Sequence, residues 1–328
     1  MIRSNIMKNK LFFSLLVLLL VSVTACDTRR PTSTSTKGLA TIVCDETFQN
    51  IMNQEIGVFE FTYPEASIIP YYTDEKSAID SLLKMKTKLI VTAHKLTEKQ
   101  EQYLKERKGF CRTQRIAVDA IALIVNEKNP CSILSLKELK EIMSGEVQRW
   151  DQLEPSKLDT IDIIFDNDGS STVQYVRDSI LCGKQFPKNV YAQQSNKDVF
   201  DVVQKNKNAL GVIGVSWISA DMKTKDMSLE ERVANLNEEN VTTTEFASGI
   251  KVMKLRRDDN IEAFQPYQAY IFDGSYPLYR NIYMINTAAG GSLAHGFYSF
   301  VTGFIGQKII QQTGILPSVV RPRLVSLN

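Results

Sequence analysis

Histidine is the scarcest of the catalytic residue types in this chain, which has only two among 328 residues. His94 and His295 lie about 200 residues apart, so neither has the spacing of a metal-ligand pair. The sequence also lacks a Gly-x-Ser-x-Gly elbow and a glycine-rich loop ending in Lys-Ser or Lys-Thr. We therefore predict a protein that is not an enzyme and that has no metal site and no cofactor.

The chain also has no excess of positive or of negative charge. The 39 basic residues nearly balance the 37 acidic ones, and the sequence has no basic stripe. Proteins that bind nucleic acids carry a basic patch or stripe, so nucleic-acid binding is excluded.

The cysteines do not form a metal or disulfide motif that can be recognised from their spacing. After Cys26 they are dispersed and include no Cys-x-x-Cys. Such positions are typical of single buried thiols, although pairing in an exported protein stays open. The four residues concerned are Cys44, Cys111, Cys131 and Cys182.

The N-terminus has the three parts of a secretory signal. Basic residues precede an apolar run at 11–21, which ends in Val23, Thr24, Ala25 and Cys26. A membrane-spanning helix needs about 20 apolar residues, so this run is too short. We predict a signal peptide over residues 1–25, whose removal takes away three basic residues and leaves a net charge near −1.

The four residues at 23–26 resemble the lipobox of bacterial lipoproteins, in which the cysteine thiol is acylated. The resemblance implies that Cys26 carries the lipid. Acyl chains hold a protein on a membrane without a protein span, so we expect contact with the membrane through the anchor only. The polar stretch 26–38 predicts a flexible tether, and the protein is expected on the periplasmic face of the cell envelope as a monomer.

Beyond residue 38, short apolar runs alternate with amphipathic stretches. This alternation indicates βα units and an α/β fold with mainly parallel sheets flanked by helices. About 300 mature residues exceed one ordinary core and favour two domains. The predicted strands cover 39–43, 67–72, 88–92, 116–126, 161–165, 209–215 and part of 276–285, and the predicted helices 48–59, 78–83, 136–143, 172–181, 197–204 and 293–312.

Three predicted strands run directly into helix starts rich in small polar residues, at 45–48, 73–77 and 168–172. A helix N-terminus presents unpaired backbone N–H groups and a partial positive charge, which suit an anion. In open α/β sheets, ligands bind beyond the carboxyl ends of the strands. Simple capping by Ser, Thr and Asp is the alternative interpretation.

Several segments in order along residues 39–328 resemble the PstS-like phosphate-binding, substrate-binding proteins of ABC transporters. The markers are Thr47-Phe48, the run 117–126, Gly145 to Trp150, Asp168 to Thr172, and Gly211 to Trp217. The resemblance implies a type II periplasmic-binding-protein clamshell that closes on its ligand about a hinge. By analogy, residues 39–115 plus 270–328 form lobe 1 and residues 116–269 form lobe 2.

The resemblance also implies a phosphate or other small-anion ligand and an ABC permease as partner. The family arginine of the phosphate loop is replaced by Asp166, and the family's ligand-side aspartate is missing near Ala93. We considered His94 and Lys95 as replacements for the arginine, or else as two exposed residues. The expected ligand-binding residues are Glu46, Thr47, Phe48, Asp74, Ser77, Asp168, Ser170, Ser171 and Thr172.

Acidic residues crowd the same turns, so phosphate is not the only ligand to consider. Either these carboxylates cap the helices and point away, or the clamshell takes a different ligand, for instance one that bears an amine. An envelope sensor or adhesion protein that binds a partner is the alternative from another class.

Overall fold

The computed structural model describes residues 33–218, 228–235 and 246–319. Its strands are β1 Gly38–Asp45, β2 Ala66–Thr73, β3 Leu89–Thr92, β4 Arg112–Asn126, β5 Ile133–Ser135, β6 Asp162–Phe165, β7 Val190–Ala192, β8 Ala209–Gly214, β9 Ile250–Val252, β10 Lys254–Arg256, β11 Tyr279–Asn286 and β12 Leu316–Pro317.

Helices cover the sheet. They are α1 Gln49–Thr62, α2 Glu75–Leu83, α3 Glu98–Lys108, α4 Leu136–Ser144, α5 Ser171–Tyr175, α6 Asn196–Lys205, α7 Leu229–Asn235, α8 Gln268–Phe272, α9 Leu293–Thr302 and α10 Phe304–Gln312. Short 3₁₀ turns precede α1 and follow β8, and a π-helical turn, Val176–Ile180, continues α5.

The main sheet has the strand order β2-β1-β3-β11-β4-β8-β6-β7. β1 is parallel to β2 and β3, and β6 is parallel to β7 and β8, whereas β4 and β11 run antiparallel to their neighbours. Pro70 lies in the edge strand β2, where a missing N–H is tolerated. The α/β fold class predicted from the sequence is confirmed.

Strand β4 connects the two halves of the molecule. Its residues 112–120 pair with β11, and from Ile121 onwards it pairs with β8. The apolar run that predicted it is long because the strand is buried along most of its length. Each half of the molecule has a large hydrophobic core. Phe48 lies in the core of the first half, and Trp150 lies in the core of the second half.

Within β11 the chain passes from the second core back to the first. Ile271, Tyr276 and Leu278 pack in the second core, whereas Ile282 packs in the first. Along this part of the chain, the two cores divide near Tyr279. The domain bounds themselves stay a prediction.

Local signals in the sequence correspond to observed geometry. Ser135 and Glu138 form a reciprocal capping box at the start of α4. Gly145 ends that helix in the left-handed region at φ 82°, where glycine has no steric cost. The predicted helix 172–181 is α-helical only to Tyr175 and then becomes the π turn.

The last residues of the predicted tether lie against α9. Ser33 Oγ accepts from the Leu293 N–H at 3.4 Å, and the backbone of Ser35 passes so close to Gly296 that a Cβ there would collide with it. Cys26 and residues 1–32 lie outside the described residues. Among the described helices, none is long and apolar enough to cross a membrane.

All four cysteines of the described chain are free. Three of them are buried, as the sequence predicts for single thiols, and Cys182 is exposed.

Candidate functional site

The site lies where the carboxyl ends of β1 and β6 meet. Thr47 follows β1 and Ser171 follows β6, and their hydroxyl oxygens are 3.4 Å apart although 124 residues separate them. Both side chains are buried. The turns after β1 and β6 therefore meet, because these two strands lie on opposite sides of β4, run in opposite directions and turn their carboxyl ends toward each other.

The segment after β8 fixes the turn that follows β1. Trp217 Nε1 donates to the Thr47 carbonyl at 2.8 Å, and Asn50 Nδ2 donates to the Ser216 carbonyl at 2.7 Å. These bonds join α1 of the first half to the second half. The two sides of the site are thus held together by backbone carbonyls as well as by hydroxyls.

Arg280 is the cation at the centre of the site. Its Nη1 donates to Ser171 Oγ at 2.7 Å and to Thr172 Oγ1 at 3.2 Å. Its Nε and Nη2 donate to Asp119 Oδ2 at 3.2 and 3.0 Å. The guanidinium carbon also lies 4.9 Å from the centroid of the Phe48 ring. One buried side chain therefore contacts both strand-end turns and the connecting strand β4.

The sheet register explains how Arg280 reaches this position. Arg280 on β11 is directly opposite Asp119 on β4, so the pair forms as soon as these strands pair. Gly214 leaves room for it, because a Cβ at that residue would be 3.0 Å from Asp119 Oδ2. Of the two alternatives for His94 and Lys95, the structure agrees with two exposed residues, and the cation at this position is Arg280.

Asp45 caps the turn that follows β1. Its Oδ1 accepts from the Thr47 N–H at 3.0 Å and from Thr47 Oγ1 at 2.7 Å, while its Oδ2 has no hydrogen-bond partner in the described part of the chain. Burial raises the pKa of this carboxyl, although Arg280 and the hydroxyl of Ser171 act against the rise. Both donors of Thr47 thus go to a carboxylate of the protein itself.

Asp166 plays a similar part at the turn that follows β6. It accepts a very short hydrogen bond from Ser170 Oγ at Oδ1 and a 3.2 Å bond from Asn196 Nδ2 at Oδ2. Burial raises the pKa of Asp166 to about 7, opposed by the Ser170 hydroxyl and Arg280. Ser170 also caps α5 by accepting from the Val173 N–H at 3.2 Å.

The third predicted turn, after β2, borders the site from the solvent side. Asp74 accepts from the Ser77 N–H at 2.9 Å and from Ser77 Oγ at 2.6 Å. Although partial burial acts to raise it, these bonds hold the pKa of Asp74 below its usual value. His94 contacts Glu75 rather than the centre, with Nδ1 2.8 Å from Glu75 Oε2. A Cβ on Gly169 would lie 3.0 Å from the Asp74 Cβ, so the turns after β2 and β6 touch.

The structure separates the predicted ligand-binding residues into a buried and a peripheral group. The buried group comprises Thr47, Phe48, Ser170, Ser171 and Thr172. In the peripheral group, Ser77 and Asp168 are exposed, Asp74 is half-buried, and Glu46 is half-buried and accepts from Asn167 of the opposite turn. Their roles toward a ligand stay predictions.

The site residues that sequence reasoning missed are Arg280, Asp119 and Asn196. Charged residues are rarely buried without a partner. Asp119 within the apolar run 116–126 and Arg280 within β11 were therefore a signal that two strands pair through them. Nothing in the local sequence marks Asn196, which reaches Asp166 from α6.

Negative side chains outnumber positive ones in this buried region. Asp45, Asp119 and Asp166 are fully buried, and Arg280 forms an ion pair with Asp119. Among the described residues, neither Asp45 nor Asp166 has an ion pair of its own. Within the described ranges, no cluster of His, Cys, Asp and Glu has the arrangement of a metal site.

A family model for the PBP superfamily domain matches residues 31–303, which is most of the chain. The chain belongs to the PBP superfamily. A curated relative is the phosphate-binding protein PstS of Pseudomonas aeruginosa, 22% identical over 293 residues that cover 84% of this chain and 81% of that protein.

Solved structures agree in fold. A phosphate ABC transporter substrate-binding protein from Clostridium perfringens, with bound phosphate, has a TM-score of 0.66 and 19% identity, covering 85% of this chain and 99% of the other. An ABC-type phosphate transport receptor from Vibrio cholerae has a TM-score of 0.59 and 17% identity, with coverages of 85% and 99%. These relatives are binding proteins of transport systems and not enzymes, which agrees with the prediction from the sequence.

Proposed function

We propose that this chain is a lipid-anchored solute-binding protein that captures phosphate, or a related small anion, between its two lobes and delivers it to an ABC importer. The observation that carries the proposal is the row of contacts that joins Arg280 to the Ser171 hydroxyl and, through it, to the Thr47 hydroxyl of the opposite turn. Ser171 Oγ lies 2.7 Å from Arg280 Nη1 and 3.4 Å from Thr47 Oγ1.

Arg280 orients these hydroxyls as well as supplying charge. An arginine donates and does not accept, so it contacts the lone pairs of Ser171 and Thr172. The hydroxyl hydrogens then point away from the guanidinium. An oxyanion that enters between the turns would receive them together with the nearby helix N-terminus of α1, which is the arrangement that anion sites use.

Membership of the PBP superfamily supports the proposal, as do the names of the relatives. The P. aeruginosa protein is described as phosphate-binding, and the C. perfringens structure contains phosphate. In this chain the arginine comes from strand β11 and not from the loop after β6, where Asp166 stands. An arginine that comes from a different strand can still bind the same class of ligand.

A calorimetric titration of the purified full-length chain with phosphate, at pH 6, tests the binding claim directly. Phosphate at about 100 times its Kd should also stabilise the fold by roughly 2.7 kcal/mol in thermal or denaturant unfolding. Ser171→Ala should weaken binding by about 1 to 3 kcal/mol, since it removes a hydroxyl that bonds a charged group. Ser299→Ala, on the exposed face of α9, is the matched control and should bind like the wild type.

A ligand that bears an amine is the second candidate. The two buried carboxyls without a cation of their own, Asp45 and Asp166, favour it, and Asp45 Oδ2 has no partner among the described residues. If millimolar phosphate gives no heat and no stabilisation while an amine-bearing solute gives both, the second candidate replaces the first.

The anchor is tested separately from the ligand. Cys26→Ser should release the protein from membranes and leave its thermal unfolding unchanged, because the buried core residues of the described chain, from Ile42 onwards, all follow residue 26. Membrane fractionation checks this, and a variant that stays in the membrane fraction would exclude the lipid anchor. Co-purification with a permease, enhanced by phosphate, would support the importer, whereas a membrane sensor protein in its place would favour signalling.

A further inference from the structure

The hydroxyl of Ser170 has its hydrogen committed to a carboxylate. Ser170 Oγ donates to Asp166 Oδ1 and accepts from the Val173 N–H at 3.2 Å. A hydroxyl has one hydrogen, so Ser170 cannot also donate to an anion while Asp166 is ionised. Ser170 therefore becomes a donor to a ligand only if Asp166 changes its hydrogen bonding.

Charges of both signs face Asp166 from the neighbouring elements. Arg280 approaches from β11, Asp45 from the end of β1 and Glu46 from the 3₁₀ turn before α1. Asn196 from α6 contributes a neutral amide. Arg280 is already paired with Asp119, so an anion entering beside these groups adds to an excess of buried negative charge.

We propose that anion binding at this site is coupled to the uptake of one proton from solvent by Asp166, an inference that rests on the proposed function. The proton neutralises one buried carboxylate and reverses the hydrogen bond. Asp166 then donates to the second lone pair of Ser170 Oγ, and the hydroxyl hydrogen of Ser170 turns toward the ligand. The raised pKa of Asp166, about 7, shows that this carboxyl holds a proton easily.

Asp166→Asn imitates the protonated state. The Asn Nδ2 can donate to Ser170 Oγ while its Oδ1 accepts from Asn196, so both contacts of the acid are retained. Asp162→Asn is the matched control. It is the same substitution at the opposite end of β6, and Asp162 also accepts from an asparagine amide, that of Asn206, at 2.8 Å.

The experiment measures the Kd for inorganic phosphate by calorimetry from pH 6 to pH 8.5, for the full-length wild type and both variants. If only the protonated form binds, the wild-type Kd should rise about 30-fold across this range relative to that of Asp166→Asn. The ratio removes the titration of phosphate itself, which is common to all three proteins. Asp162→Asn should follow the wild type.

A ratio that stays constant with pH would overturn the proton coupling and leave phosphate binding intact. Absence of phosphate binding in all three proteins at every pH would instead overturn the proposed function. Should Asp166→Asn fail to fold, titrations of the wild type at pH 8.5 in two buffers of different ionisation enthalpy serve in its place. Protonation of the bound phosphate itself accounts for part of the proton uptake. About one additional proton supports the inference, and no additional proton refutes it.

Discussion

The turns after β2 and β6 differ in their electrostatics, although each contains an aspartate that bonds to a serine. In each, an aspartate accepts a hydrogen bond from a serine near the start of a helix, Asp74 from Ser77 and Asp166 from Ser170. The pKa of Asp74 is below its usual value, whereas that of Asp166 is raised to about 7. An aspartate–serine pair therefore lies in a half-buried turn in one place, where Asp74 is the N-cap, and in a buried turn in the other, where Ser170 is the N-cap.

Burial is the cause of the difference. Asp74 is half-buried, and the hydrogen bonds that lower its pKa have a larger effect than the partial desolvation that raises it. The ionised form is therefore favoured. Asp166 is fully buried, and the loss of solvent outweighs its bonds to Ser170 and Asn196. Capping motifs read from a sequence thus indicate where a carboxylate bonds, but not whether it is charged.

The largest expected effect is the loss of the buried cation. Arg280→Met should destabilise the fold by about 3 to 5 kcal/mol, because it leaves the buried carboxylate of Asp119 unpaired. At the exposed turn, His94→Gln removes the imidazole that bonds to Glu75 and should cost less than about 1 kcal/mol, because the His94 side chain is 53% exposed. Denaturant unfolding at pH 7 measures both.

The double variant Arg280→Met with Asp119→Asn provides the control. It should recover part of the lost stability, since the unpaired charge is gone. If the double variant is as unstable as Arg280→Met alone, packing and not charge explains the loss.

The second effect is a pH dependence of opposite sign at the two turns. A carboxyl whose pKa is raised on folding stabilises the fold at low pH and loses that contribution as pH rises. From pH 4 to 7, Asp166 should lower wild-type stability by up to about 4 kcal/mol, and Asp166→Asn should remove this decline. Unfolding free energies measured at intervals of one pH unit check the sign.

A smaller effect is expected at the half-buried cap of α2. Asp74→Ala should cost about 1 kcal/mol at pH 7, the usual value of an N-cap. Because the pKa of Asp74 is lowered, its contribution is present at neutral pH and is lost as pH falls below 4. Asp74→Asn should retain most of the cap. A larger cost for Asp74→Ala than for Arg280→Met would invert the comparison between the two turns.

The sequence predicted the elements with a strong apolar pattern well. The buried strands β1, β4 and β8, and the capped helix α4, lie within a few residues of their expected positions. Helix α3 was missed because Leu104 is its one buried residue, so it has no apolar stripe to detect. The short strands β5, β7 and β10 were missed because three residues are too few to show a period.

The candidate site was predictable only in its local parts. The turns that hold Thr47 and Ser171 follow from strand ends and small polar residues, which are visible within a few positions. The charges of Asp119 and Arg280 within apolar strands signalled that these strands pair, but not which contacts Arg280 makes, because those to Asp119 and Ser171 span 161 and 109 residues. Those contacts depend on the register of β11 on β4, which no local pattern specifies.

A crystal structure of the full-length chain grown with phosphate would test the central claim most directly. We predict a phosphate between the turns after β1 and β6, within hydrogen-bond distance of the hydroxyls of Ser171 and Thr172 and of the Arg280 guanidinium. Phosphate bound only elsewhere, or none at a concentration that saturates the calorimetric signal, would contradict the site proposed for this protein.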